Sequence, residues 1–126
     1  MTGRDLAAAL VARGLPKEEE AGKTVLFERA LPFLPGAAAH AWWVPGRLEV
    51  FGKHTDYAGG RSLVCAVPRG FALVARPRSD DTIRVTDALT AESFVLSSGD
   101  SPPARGWRRY VAIVLIRDRA NGGNDD

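Results

Sequence analysis

The sequence predicts two N-terminal helices, a largely antiparallel sheet of short strands and a closing helix. Three observations predict it. Apolar residues at helical spacing fill residues 3–31 and stop at glycine and proline. From residue 42 on, β-branched and aromatic residues recur in short runs separated by turn residues. After a second pair of prolines, the helical spacing returns.

Residues 3–13 read as a helix: Leu6, Leu10 and Arg13 share a face, and Gly14 and Pro16 stop it. Lys17 to Leu31 reads as a second. Glu18, Glu19 and Glu20 lie in its first turn, where the helix dipole favours negative charge, and Val25, Leu26 and Arg29 carry it on to Pro32 and Pro35. Both read as amphipathic packing elements without chemistry. Residues 35–40 are a small-residue linker. Trp42 to Phe51 holds β-forming residues, but Pro45 restricts it, so the strand proper is placed from near Gly46. Leu48 and Val50 then face one way and Arg47, Glu49 and Phe51 the other. Ser62 to Val67 and Phe71 to Arg76 read as two further strands joined by a turn at Pro68-Arg69-Gly70. Thr82 to Thr86 alternates as a fourth, after a turn at residues 79–81, and Ser93 to Leu96 is a fifth with Phe94 and Leu96 inward. Pro102 and Pro103 break the sheet. Trp107, Tyr110, Val111, Val114 and Leu115 then fall at i, i+3, i+4, i+7 and i+8, one apolar helix face. The polar, glycine-rich stretch 120–126 is expected to be disordered, leaving 1–119 as the structured part.

The totals bound the function. The chain has 126 residues, enough for one small domain or part of a larger one, and 45% of them are hydrophobic. Its 17 basic and 15 acidic residues leave a net charge of +2. The arginines at 61, 69, 76, 78 and 84 are interspersed with Asp80, Asp81 and Asp87 and read as solvated strand and turn positions, which argues against nucleic acid as a partner. Cys65 is the single cysteine, so the chain forms no internal disulfide and no cysteine metal cluster. In its apolar run it reads as a small buried hydrophobe in a reducing, cytoplasmic protein. Ala7 to Val11 is too short to cross a bilayer, so no membrane partner is expected.

Chemistry concentrates in residues 45–60. Arg47, Lys53, His54, Asp56 and Tyr57 crowd into eleven positions, and glycines at 46, 52, 59 and 60 let the backbone bend sharply and approach a ligand. Such a loop suits hydrogen bonding to a small polyhydroxylated molecule. Taken singly, Arg47 reads as a surface strand arginine and His54 with Asp56 as a local turn. A metal site from His54 and Asp56 lacks a third ligand nearby.

Gly46-Arg47, then Gly52-x-His54-x-Asp56-Tyr57 and Gly59-Gly60, resembles the galactokinase signature of the GHMP sugar kinases. The likeness continues through residues 64–71 and to Trp107 and Tyr110, which resemble the family's Trp-x-x-Tyr helix. The resemblance implies an α+β, two-layer domain: a mixed sheet with helices on one face, incomplete at the C-terminus. It implies phosphorylation of a monosaccharide by ATP with Mg2+. It places Arg47 beside the transferred phosphoryl group as the catalytic residue, and Lys53, His54, Asp56, Tyr57, Gly59 and Gly60 around the sugar. The physics agrees: a carboxylate accepts two hydroxyl hydrogen bonds and so fixes a vicinal diol, and a guanidinium offsets charge developing in phosphoryl transfer.

Three positions depart from the family pattern. Glu49 stands for Asn, Phe51 for an aliphatic residue and Lys53 for the Glu before the histidine. Lysine only donates, so Lys53 either meets an anionic group on the substrate or pairs with Glu49. The family's glycine- and serine-rich phosphate loop and its catalytic aspartate find no counterpart, and Gly122-Gly123 is no substitute. The expectation is a sugar-side piece of a larger kinase, interrupted near residues 116–118 and inactive alone. The alternatives are a non-catalytic, sugar-sensing relative and a remnant without function.

Overall fold

The computed structural model describes residues 1–52, 54–97, 99–103 and 105–120, with backbone alone for Asp56 and for residues 118–120. The architecture is α+β, as expected. In place of one mixed sheet, the described strands form two separate two-stranded antiparallel sheets. The chain divides into two compact units, Met1–Pro77 and Arg78–Asp126.

In the first unit, helix α1 (Gly3–Val11) starts at a capping box. The Thr2 hydroxyl accepts from the Asp5 amide at 3.2 Å, and the Asp5 carboxylate accepts from the Thr2 amide at 2.7 Å. These bonds, the Thr2 backbone bond first, hold the Asp5 carboxyl below the usual carboxylate range. Helix α2 (Glu20–Ala30) follows a single 3-10 turn, Lys17–Glu19, so Glu18 and Glu19 lie in that turn and Glu20 opens the helix, with no side-chain capping bond. The two helices pack on each other, and Gly3 makes that closeness possible: a Cβ there would lie 2.8 Å from the Thr24 carbonyl oxygen. Leu6, Ala7 and Phe27 are the buried apolar side chains of this unit among the described residues, Phe27 at 1% exposure. The buried stripe of α2 is Lys23 and Phe27, four apart; Val25 is exposed.

Strand β1 (His40–Phe51) begins six residues before Gly46, and β2 (Leu63–Ala75) is one strand rather than two. They pair from His40 with Ala75 to Phe51 with Leu63. The expected turn at residues 68–70 is a bulge. Pro45 pairs with Gly70 and Gly46 with Val67, so Pro68 and Arg69 stand without partners on β1. A proline has no N–H for a ladder, and at a register shift none is needed; this is how Pro45 and Pro68 sit inside paired strands. Gly70 permits the crossing, since a Cβ there would land on the Val44 carbonyl oxygen and 2.7 Å from Pro45 Cα. A second shift leaves Val50 unpaired between Glu49 and Phe51. Along the outer half of the ribbon Leu48, Val50, Phe51, Leu63 and Val64 are all exposed, and so is Cys65, against the expectation that it is buried.

In the second unit, β3 (Thr82–Thr86) and β4 (Ser93–Ser97) pair as an antiparallel hairpin. The Asp80 carboxylate opens it, accepting from the Arg78 guanidinium and, at 2.7 Å, from the Thr82 hydroxyl. The Asp87 carboxylate shapes the connection by accepting from the Leu89 amide at 2.8 Å and the Thr90 hydroxyl at 3.0 Å. Helix α3 (Trp107–Ala120) places Trp107 edge-on to Phe94, ring centres 5.5 Å apart, and its indole N–H donates to Glu92 at 3.0 Å. Leu96 and Ala112 are buried. The inward face of α3 is rotated from the expected one. Tyr110 is 75% and Val114 65% exposed, whereas Arg108, Val111, Leu115 and Ile116 flank the buried Ala112. The small Ala112, not the larger Tyr110, faces inward, as close helix approach requires. Of the stretch 120–126 expected to be disordered, Ala120 ends α3 and residues 121–126 lie outside the described residues. Among the described residues, no helix is long and apolar enough to cross a membrane.

Gly70→Ala is expected to lower stability by about 1–3 kcal/mol, read from urea unfolding, because the clash is with backbone that cannot step aside. The Arg78 and Thr82 bonds hold Asp80 well below the usual carboxylate range. A depressed carboxyl stabilises the fold fully above its unfolded value near 4 and loses that contribution as pH falls through the folded value. Melting temperatures between pH 2 and 6 should therefore fall less steeply with acid in Asp80→Asn than in the parent chain.

Candidate functional site

The site is the loop that joins β1 to β2. β1 ends at Phe51, and Gly52 turns the chain with φ of 88°. A Cβ at Gly52 would lie 2.7 Å from Ser62 Cα, so only glycine lets the two ends of the loop touch here. His54 also takes a left-handed conformation, φ 61°, which is uncommon outside glycine. A 3-10 turn, Thr55–Ala58, follows, and Gly59 with φ of 71° leads back toward β2.

Thr55 closes this loop. Its amide donates to the Gly52 carbonyl at 3.1 Å. Its hydroxyl lies 2.8 Å from that same oxygen and 3.1 Å from the Arg61 carbonyl. Its own carbonyl accepts from the Gly60 amide at 2.8 Å. A Cβ at Gly60 would come within 2.8 Å of Thr55 Cβ, which accounts for the second glycine of the pair. Thr55 thus joins both ends of the loop. Sequence reasoning passed over it as a spacer between His54 and Asp56; the available signal was a hydroxyl residue flanked by glycines on both sides.

The fixed backbone carries the candidate ligand-binding side chains. His54 and Tyr57 stack, ring centres 5.7 Å apart and planes 14° from parallel, both open to solvent, with Tyr57 84% exposed. Asp56 lies between them in the 3-10 turn; its side chain is outside the described residues, as is Lys53. Arg47 pairs with Ala66 in the ribbon between the two register shifts, side chain exposed. Among the described residues, no hydrogen bond or ion pair joins Arg47 to His54 or Tyr57. The structure therefore brings His54, Tyr57, Gly59 and Gly60 onto one closed loop and leaves Arg47 on the strand that leads into it.

Two cavities lie elsewhere in the first unit. One, of about 420 Å3, is lined by Arg4, Glu20, Ala21 and Thr24. The other, of about 390 Å3, lies between the end of α1 and the ribbon, against Leu15, Trp43, Pro45 and Pro68. Neither includes the loop. The N-termini of α1 and α2 carry Asp5 and Glu18, Glu19 and Glu20, so their charge does not fit a nucleotide phosphate. Among the described residues, no three His, Cys, Asp or Glu side chains gather as ligands for Mg2+.

Known proteins share this segment. Residues 34–77 match the family described as the galactokinase galactose-binding signature. A galactokinase of Exiguobacterium sibiricum is 33% identical over 83 residues, which is 63% of this chain and 21% of that protein. Galactokinases of Actinobacillus pleuropneumoniae, serotypes 5b and 3, are 35% identical over 81 residues, with the same coverage of 63% and 21%. The chain thus spans about a fifth of the length of the curated relatives it matches. No solved structure matches. The loop described above lies wholly inside the matched segment, and the chain is similar to galactokinases, with residues 34–77 matching their galactose-binding signature.

Proposed function

We propose that the β1–β2 loop is the sugar-recognition element of a galactokinase-like sugar kinase. The observation that carries this reading is the loop closed by Thr55 between Gly52 and Gly60, which fixes the backbone of His54, Asp56 and Tyr57 before any ligand arrives. Holding the backbone in advance lowers the ordering entropy that binding would otherwise cost. In this reading the Asp56 carboxylate accepts from two neighbouring sugar hydroxyls, and His54 supplies a further polar contact. Tyr57 offers an apolar ring face, and Arg47 offsets negative charge at the hydroxyl being phosphorylated. Phosphoryl transfer from ATP with Mg2+ is the activity that the likeness implies. The acidic starts of α1 and α2 do not fit a phosphate, and no described side-chain cluster fits Mg2+, so the contribution read for this chain is sugar binding. The domain 1–119 works as that sugar-side part, in the cytoplasm, where the exposed Cys65 thiol stays reduced.

A second reading is a sugar-binding module without catalysis. The acidic N-termini of α1 and α2 are what support it, because they do not suit a phosphate. The two readings part on ATP turnover in the presence of sugar, which a module lacks in any assembly.

Titration of the chain with galactose, followed by NMR, is expected to shift the His54 and Tyr57 ring signals saturably. Asp56→Ala should weaken that binding by roughly tenfold or more with the far-UV circular dichroism unchanged. If neither galactose nor galacturonate moves those signals, the reading is wrong. Thr55→Val keeps the side chain's shape and removes the hydroxyl. It should lower stability by about 1 kcal/mol and weaken sugar binding severalfold, measured by thermal melting and by the same titration. Lys53 meets an anionic substituent in this reading, so the parent chain should prefer galacturonate and Lys53→Glu galactose; an unchanged preference would place Lys53 against Glu49 instead.

A further inference from the structure

The ribbon that bears Arg47 is held at its bulge by a buried cation. Lys23 of α2 is 5% exposed. Its ammonium group donates to the Pro68 carbonyl at 2.8 Å, lies 2.9 Å from the Glu19 carboxylate and stands 3.9 Å from the centre of the Trp43 ring. Pro68 is one of the two residues left unpaired where the register shifts, and Trp43 lies on β1 just before that shift. One side chain therefore holds both strands at the point where their pairing changes, and it does so from the helix rather than from the sheet.

The register beyond this point decides where Arg47 points. Side chains alternate along a strand, so a slip of one residue sends a side chain to the opposite face. In the outer half of the ribbon the apolar side chains are exposed, and little packing there opposes a slip. We propose that Lys23 is a positioning residue for the sugar site: by fixing the Pro68 bulge it sets the register of Gly46 to Glu49 and so the face on which Arg47 is presented. Lys23 touches no sugar itself; it acts through Pro68 and the strand. This rests on the assignment of Arg47 to the sugar site, but the register effect can be read without any sugar.

The test uses the full 126-residue chain and reads cross-strand proton contacts by NMR together with galactose titration. In Lys23→Met, which keeps the length and removes the charge and donors, the contacts from His40–Ala75 to Val44–Phe71 should persist. Those of Arg47 with Ala66 and Leu48 with Cys65 should be lost or replaced, and the galactose Kd should rise roughly tenfold. Lys23→Arg, which keeps the cation and its donors, should restore both readouts. Unchanged Arg47–Ala66 contacts in Lys23→Met overturn the proposal, and so does a failure of Lys23→Arg to rescue. Glu19→Gln is the milder variant, informative even if Lys23→Met does not fold. It leaves the Lys23–Pro68 bond in place and should keep the outer register; loss of that register would show that the ion pair, not the bond to the bulge, holds it. If the parent chain binds no galactose, the sugar-site reading falls while the register readout still decides this one.

Discussion

Two residues without an amide proton meet the same break in one ribbon, and the first unit is arranged around it. Pro45 is the last paired residue before the shift, and Pro68 is one of the two that the shift leaves over. A sheet interior cannot hold a proline at a position where the ladder needs a donor. Here the ladder skips a step instead. The skip requires close backbone approach, which Gly70 allows, and it frees the Pro68 carbonyl, which needs a donor. Lys23 is buried and needs acceptors, and Glu19, the Trp43 face and that carbonyl supply them. A charge out of water is tolerated only when it is paired and bonded in this way. Helix, bulge and ribbon thereby become one mechanical piece, and the loop is its far end.

Backbone bonds rather than side-chain packing hold that far end. Gly52 and His54 both take left-handed conformations, and the Thr55 hydroxyl and carbonyl tie the turn to Gly52, Arg61 and Gly60. The rings of His54 and Tyr57 remain open to solvent because nothing in the holding of the loop consumes them. At about 3.3 Å per strand residue, Arg47 lies roughly 13 Å from Phe51 along β1. Arg47 and the loop therefore stand at two ends of one stretch of ribbon. That separation suits a division of labour in the proposed function, with hydroxyl recognition at the loop and charge compensation at the arginine.

Much of this was legible in the residues. The helical spacing located α1, α2 and α3 within a few residues, and strict alternation located β3 and β4. The motif from Gly46 to Gly60 pointed to the galactokinase likeness that residues 34–77 carry. What was not legible depends on partners distant in the chain. Pro45 and Pro68-Arg69-Gly70 read as a stop and a turn because local rules treat proline as a terminator; that they face each other across a bulge is a fact of pairing. The inward face of α3 differed because Tyr110 and Val114 are apolar by composition, whereas burial went to the small Ala112. Cys65 read as core from its apolar neighbours, but a ribbon with few neighbours exposes even those. Thr55 was missed because its task is to bond backbone carbonyls, and no residue pattern announces an acceptor six positions on.

Charge placement distinguishes the starts of α1 and α2 from the loop. The N-terminus of a helix is where a phosphate finds free amides and a favourable dipole. In α1 that place is taken: the Asp5 carboxylate already accepts the Thr2 amide, and the Thr2 bonds hold its carboxyl below the usual carboxylate range. At the start of α2 Glu18, Glu19 and Glu20 add negative charge without a side-chain capping bond, Glu19 paired with Lys23 and Glu20 with Lys17. An incoming phosphate would meet like charge at both of these helix starts. The loop has the opposite character: the Gly52, Thr55 and Arg61 carbonyls are already bonded, the His54 and Tyr57 rings are exposed, and Arg47, nearby in sequence, takes no part in those bonds. In the proposed function a polyol meets a backbone there that Thr55 already holds in place. The acidic starts of α1 and α2 therefore disfavour phosphate in that proposed function, while the loop at the far end of the ribbon receives the sugar, a division that suits a sugar-side element.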